Sequence, residues 1–124
     1  MIKGSCACGA IHFETAAPAE GAAVCHCSQC RKMSGHAWAS AHVPRAELQI
    51  RGPVNWLQLS PKAERGLCPT CGAFLFWVGS DERHMISFAL GAVDGPTGLE
   101  LGRHIFTADK ADYYQLDDAV AQHL

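Results

Sequence analysis

Seven cysteines in three short clusters limit what this chain can fold into more than any other feature of its sequence. The clusters are Cys6-Ala7-Cys8, Cys25-His26-Cys27-Ser28-Gln29-Cys30 and Cys68-Pro69-Thr70-Cys71. An odd number cannot be fully paired within one molecule, and spacings this tight do not suit a set of independent bridges. The stretch from Met1 to Cys6 has no apolar h-region, and no run of about 18 apolar residues occurs, so the sequence reads as that of a cytoplasmic protein. Thiols stay reduced there, and clustered cysteines then point to metal ligands or catalytic groups rather than disulfides.

Structural zinc sites close with four ligands, whereas catalytic ones keep three protein ligands and an open position. Seven cysteines make one of each. Cys68 and Cys71, followed by Gly72, have the form of a zinc knuckle, in which a turn lets two sulfurs face one ion and glycine supplies the left-handed conformation. The knuckle needs a second pair. Cys6/Cys8, also followed by a glycine, is one candidate, and a pair from Cys25, Cys27 and Cys30 is the other. Grouping Cys6, Cys8, Cys68 and Cys71 leaves the compact Cys25/Cys27/Cys30 cluster whole for a second ion, and this is the reading adopted, although spacing alone does not prove it. In an extended C-x-C the two side chains point to opposite faces, so Cys6/Cys8 and Cys25/Cys27 must lie in turns or bulges. A closed four-thiolate site contributes on the order of 10 kcal/mol to folding, which offsets that distortion.

The remaining residues predict one mainly β domain over 1–124, with small antiparallel sheets and little helix. Ile11 and Phe13 alternate with polar neighbours, and His36 to Val43 alternates more fully, placing His36, Trp38, Ser40 and His42 on one face. Leu48–Arg51 and Val54–Leu59 flank Gly52-Pro53 as a hairpin, and Ser60-Pro61-Lys62 starts a surface loop leading to Cys68. Ala73–Val78, His84–Leu90 and Arg103–Thr107 read as strands, and Thr15–Ala23 as the most linker-like piece. Single helical turns are expected at Ser28–Met33 and Asp109–Tyr114, before an irregular tail. With 18% charged residues and a net charge of -2, the chain offers neither the basic face of a nucleic-acid binder nor a reason to dock on an anionic membrane.

Gly4-Ser5-Cys6-Ala7-Cys8-Gly9-Ala10-Ile11-His12-Phe13, Cys25 through Gly35, and Glu64-Arg65-Gly66-Leu67-Cys68-Pro69-Thr70-Cys71-Gly72 together resemble the glutathione-dependent formaldehyde-activating enzyme family, which includes centromere protein V. The likeness continues through Gly91–Pro96 and His104-Ile105-Phe106 and so covers nearly the whole chain. It implies a β-tent fold with two zinc ions, Cys6, Cys8, Cys68 and Cys71 matching the structural ligands and Cys25, Cys27 and Cys30 the catalytic ones. It also implies a carbon-sulfur lyase-type reaction, addition of glutathione to formaldehyde. Leu67 stands where the family usually has Phe, and Tyr113-Tyr114 where a Trp is common; neither is a ligand position.

A soft three-thiolate zinc suits a fourth sulfur ligand, which agrees with the partners the resemblance implies, glutathione or another small thiol and a small aldehyde. Arg31 and Lys32 follow the cluster and are candidates for pairing with glutathione carboxylates, with a solvated basic turn as the plainer explanation. His26, between two ligands, is a candidate for relaying a proton or for positioning a ligand, and His36, Trp38 and His42 for lining a pocket. Two other functions compete: a zinc-stabilised carrier or protein-interaction module without turnover, and thiol-disulfide chemistry at Cys27-Ser28-Gln29-Cys30. The second lacks the βαβ setting that a reactive C-x-x-C normally occupies.

Overall fold

The computed structural model describes residues 1–124. The chain runs through β1 (Ile2–Ser5), β2 (His12–Thr15) and β3 (Glu20–Cys25) into its one α-helix, α1 (Ser28–Ser34). The strands β4 (Trp38–Pro44), β5 (Gln49–Arg51), β6 (Asn55–Ser60), β7 (Ala63–Leu67), β8 (Phe74–Gly79), β9 (Met85–Ala89), β10 (Arg103–Ile105) and β11 (Ala121–Gln122) follow. A three-stranded sheet has the order β1-β2-β5, and an eight-stranded sheet the order β11-β10-β3-β4-β9-β8-β7-β6. The protein is mainly β with little helix, as its alternating segments predict.

Several local expectations are corrected. Gly52-Pro53 does not close a hairpin: β5 pairs with β2, and β6 with β7, so the chain crosses between sheets at this point. Gly52, at φ 107°, lies so close to the β1–β2 connection that a Cβ there would fall 2.2 Å from the Ala10 carbonyl oxygen. The segment read as a loop before Cys68 is β7, and the real hairpin turns at Pro61-Lys62, with Ser60 opposite Ala63. The linker-like alanine stretch runs into β3, whose small side chains give little periodicity but fit against β4. Not every pair is antiparallel: β10 runs parallel to β3, and β11 to β10, each partner being separated in sequence by a long connection of the kind parallel pairing requires. The helical turn near the C-terminus is a 3-10 turn at Thr107–Asp109, earlier than the expected span.

The small sheet covers one face of the large one. Phe13 of β2 meets Phe76 of β8 edge to face at 5.4 Å and Phe88 of β9 at 5.6 Å, with Val43, Val78 and Ile86 buried around them. A bulge opposite Gly66/Leu67 inserts Leu75 as an extra residue, because Leu67 pairs with Phe74 while Gly66 pairs with Phe76. It shifts the alternation of β8, so that Phe74 and Trp77 share the far face while Leu75, Phe76 and Val78 stay in the main core. On that far face the large sheet, α1 and the residues after β10 enclose a cavity.

Candidate metal centres and their cavity

Two turns build the first cysteine set. After β1 the chain bends so that the Cys6 N–H donates to the Ile11 carbonyl at 3.0 Å and the Gly9 N–H to the Cys6 carbonyl at 3.1 Å. Between β7 and β8 the same arrangement recurs: Cys68 N–H to Ala73 at 3.0 Å, Gly72 N–H to Cys68 at 2.9 Å. Gly9 and Gly72 have φ of 81° and 78°, the left-handed conformation that closes such a knuckle. The four sulfurs of Cys6, Cys8, Cys68 and Cys71 lie within 4.8 Å of one another, Cys6–Cys8 at 3.6 Å and Cys8–Cys68 at 3.7 Å. A tetrahedron with Zn–S bonds of about 2.3 Å has sulfur-sulfur edges of about 3.8 Å, so the spacing and the all-sulfur donor set both fit zinc.

Backbone donors already favour thiolates here. The Ile11 N–H reaches Cys6 Sγ at 3.2 Å and the Cys71 N–H reaches Cys68 Sγ at 3.5 Å. Cys71 is held down at about 6, first by an amide hydrogen bond from Ala73. Burial pushes Cys6 up, but the Ile11 amide and the sulfurs of Cys8 and Cys68 outweigh it and the net direction is down. For Cys8 the Ala10 amide pulls down, yet desolvation and the neighbouring sulfurs win and raise it to about 11.

The second set sits at the junction of β3 and α1. Cys25 ends β3, Cys27 is the N-cap of α1, and Cys30 lies in its first turn, with the Cys30 N–H donating to Cys27 Sγ at 3.4 Å. Their sulfurs also lie within 4.8 Å of one another. Neighbouring Cys25 and Cys30 hold Cys27 down at about 2 against its own burial, with the Cys30 amide and the Arg65 guanidinium helping. Cys25 is driven up by Cys27, Cys30 and burial. Cys30 also ends up raised, since the pull of Cys25 is outweighed by Cys27 and burial. A divalent cation held by the three sulfurs would let all three ionise together.

Only the second set faces the cavity, whose volume is about 510 Å³. Cys25, Cys27 and Cys30 line it, and none of Cys6, Cys8, Cys68 and Cys71 does. Trp38, opposite Cys25 in the β3–β4 ladder, stacks on Phe74 at 4.1 Å and donates its Nε1–H to the Phe74 carbonyl at 3.2 Å. Trp38 and His42 line the cavity as the strand alternation suggests, but His36 does not: it is exposed, and its Nδ1 meets the Tyr113 hydroxyl at 2.5 Å.

Arg31, Lys32 and His26 lie outside the cavity wall. Arg31 donates its Nε–H to the Asp109 carbonyl at 3.1 Å, and Lys32 is exposed on α1. His26 is buried between His104, whose Nδ1 is 2.9 Å from His26 Nε2, and the Tyr114 hydroxyl at Nδ1. Burial first, then His104, Lys110 and His36, lower its pKa and favour the neutral ring. These contacts tie the C-terminal segment to the back of the cysteine loop.

Arg65 is the wall residue that sequence reasoning missed. It is 4% exposed, its Nε and Nη1 have no hydrogen-bond partner, and the chain's two ion pairs, Arg51–Glu14 and Arg83–Glu64, leave it out. It faces the cavity because in β7 Ala63 and Arg65 share one face while Glu64 points away to Arg83.

Among curated proteins no match was found. A solved crystal structure of a Rhodobacter sphaeroides protein is similar to this chain at 25% identity, covering 77% of this chain and 91% of the other, with a TM-score of 0.61. The model of the family described as glutathione-dependent formaldehyde-activating enzyme matches residues 1–109, which include all seven cysteines. With that match over most of its length, the chain belongs to the glutathione-dependent formaldehyde-activating enzyme family.

Proposed function

We propose that this chain is a single zinc-binding domain over 1–124 that works in the cytoplasm as a carbon-sulfur lyase-type enzyme, adding glutathione or a related thiol to formaldehyde or another small electrophile. One observation carries the reading: of two sulfur sets with zinc-like spacing, the three-cysteine one opens into the cavity and the four-cysteine one does not. Cys6, Cys8, Cys68 and Cys71 then hold a structural ion, and Cys25, Cys27 and Cys30 an ion with a position free for a substrate.

Zinc held by Cys25, Cys27 and Cys30 would supply a soft site that lowers the pKa of a substrate thiol, so that the thiol would be nucleophilic near neutral pH. The chain's own part is placement. The Cys25–Cys30 loop is held by the Cys30 amide on one side and by the His26 N–H to Ile105 carbonyl bond of 3.0 Å on the other. Trp38 and Trp77 give the wall apolar surface, which favours a small aldehyde over bulk water at the reacting carbon. The substrate sulfur forms the new carbon-sulfur bond, the carbonyl electron pair moves to oxygen, and that oxygen takes a proton from solvent.

Stopped-flow measurement of hemithioacetal formation from glutathione and formaldehyde, with and without zinc-loaded protein, tests the reading. Acceleration that is lost in Cys27→Ser, together with the loss of one of two bound zinc ions per chain by elemental analysis, is the expected result. Tight thiol binding with no acceleration replaces the enzyme by a carrier, and unchanged zinc content and thiol affinity in Cys27→Ser removes the site altogether.

A further inference from the structure

We propose that Arg65 is the carboxylate-receiving group of the cavity, so that the thiols accepted there are small acids. The inference rests on the thiol reading above and narrows its substrate class. A buried guanidinium with no acceptor is costly, because a charge withdrawn from water needs a partner to offset the lost hydration. Arg65 is 4% exposed, and neither a carboxylate nor a thiol sulfur accepts from its Nε or Nη1. Arg65 acts on Cys27 and Cys30 through its charge, but no sulfur accepts a hydrogen bond from these two donors. A guanidinium presents its N–H groups as a planar fork that matches the two oxygens of a carboxylate.

The surroundings favour the same ligand. Arg65 pairs with Trp77 across β7 and β8, and Trp77 with Ser87 across β8 and β9, and all three residues line the cavity that Cys25, Cys27 and Cys30 also line. The wall carries three basic side chains, Lys62, Arg65 and Arg103, against two acidic ones, Glu82 and Asp109, although the chain as a whole has a net charge of -2. None of these five is in an ion pair. The cysteine set adds about one more negative charge, so the wall as a whole is near neutral, and what favours an anion is the local pair of unpaired Arg65 donors rather than a net field. The volume of about 510 Å³ lies in the range of small-molecule sites.

Calorimetry on the zinc-loaded protein with 3-mercaptopropionate and its neutral isostere 3-mercaptopropionamide tests the assignment. The native chain should bind the acid about tenfold or more tightly than the amide, the size expected for a hydrogen bond between charged groups. Arg65→Met should bind both alike, with amide affinity and zinc content unchanged, and Arg65→Lys should restore part of the preference. Equal binding of acid and amide by the native chain overturns the proposal. So does a preference that survives in Arg65→Met, or a parallel loss of both ligands and of zinc, which marks Arg65 as a counter-ion only.

If neither thiol binds the native chain, the thiol reading fails, and propionate, which has no sulfur, decides the fate of Arg65. A propionate-induced NMR shift at the Arg65 Nε–H, with binding lost in Arg65→Met, keeps the assignment; its absence ends it.

Discussion

Trp38 is fixed by two contacts that separate cleanly. Its ring stacks on Phe74, and its Nε1–H is the donor to the Phe74 carbonyl, both beside Cys25. Trp38→Phe keeps much of the stacking and leaves a buried carbonyl without this donor, so it should cost about 1–3 kcal/mol in urea unfolding. The same variant should leave zinc content unchanged. Gly4 tests the main core in the same way: a Cβ there would lie 2.2 Å from Phe13 Cζ, and the Phe13 ring is 2% exposed between Phe76 and Phe88. Gly4→Ala must displace that ring, and an overpacking loss of about 1–3 kcal/mol is expected by the same measurement. The two sulfur sets were legible from sequence because cysteines that could share one ion recur at short spacing, and the glycines after Cys8 and Cys71 add to the pattern. Arg65 was not, because reading β7 by hydrophobic alternation has no place for a charge facing inward.

Strands with weak side-chain patterns owe their existence here to their neighbours. β3 is rich in alanine and glycine and lies between β4 and the parallel β10, so partners rather than propensity define it. β7 became visible only through its pairing with β6 and β8, whereas β4, β8 and β9 were readable from alternation and apolar content. The mistaken β5–β6 hairpin has a similar cause: Gly52-Pro53 is a turn signal, but a turn signal does not say which sheet the next strand will join. The C-terminal segment illustrates the element with the least sequence signal. β11 has two residues, yet Tyr114 and Lys110 anchor the stretch before it, Tyr114 to His26 and Lys110 to the Tyr114 carbonyl and ring. Tyr114→Phe removes the hydroxyl facing His26 and should leave the large sheet intact. Hydrogen exchange should therefore rise in residues 107–123 and at His26, while β8 and β9 keep their protection. Uniform loss of protection would mean that the segment is part of the core rather than a strap over it.

Taken together, the fold places the proposed ions in unequal positions. The four-cysteine set joins the β1–β2 turn of the small sheet to the β7–β8 turn of the large one, at the end of the core formed between them. The three-cysteine set lies wholly within the β3–α1 connection, on the opposite face of the large sheet. A zinc ion in the first ties sequence-distant segments together, and its binding free energy, on the order of 10 kcal/mol, is comparable to the roughly 5–15 kcal/mol that holds a domain folded. An ion in the second orders a short loop. Cys71→Ser should therefore lose cooperative thermal unfolding, followed by near-ultraviolet circular dichroism, whereas Cys27→Ser should unfold cooperatively with its midpoint lowered by only several degrees. Graded chelation of the native chain should release metal in two steps, the cavity-facing ion first with far-ultraviolet signal retained, and the second ion together with that signal. If Cys71→Ser melts as the native chain does, the joint between the sheets is carried by Phe13, Phe76 and Phe88 alone, and the four sulfurs do not supply the stability assigned to them.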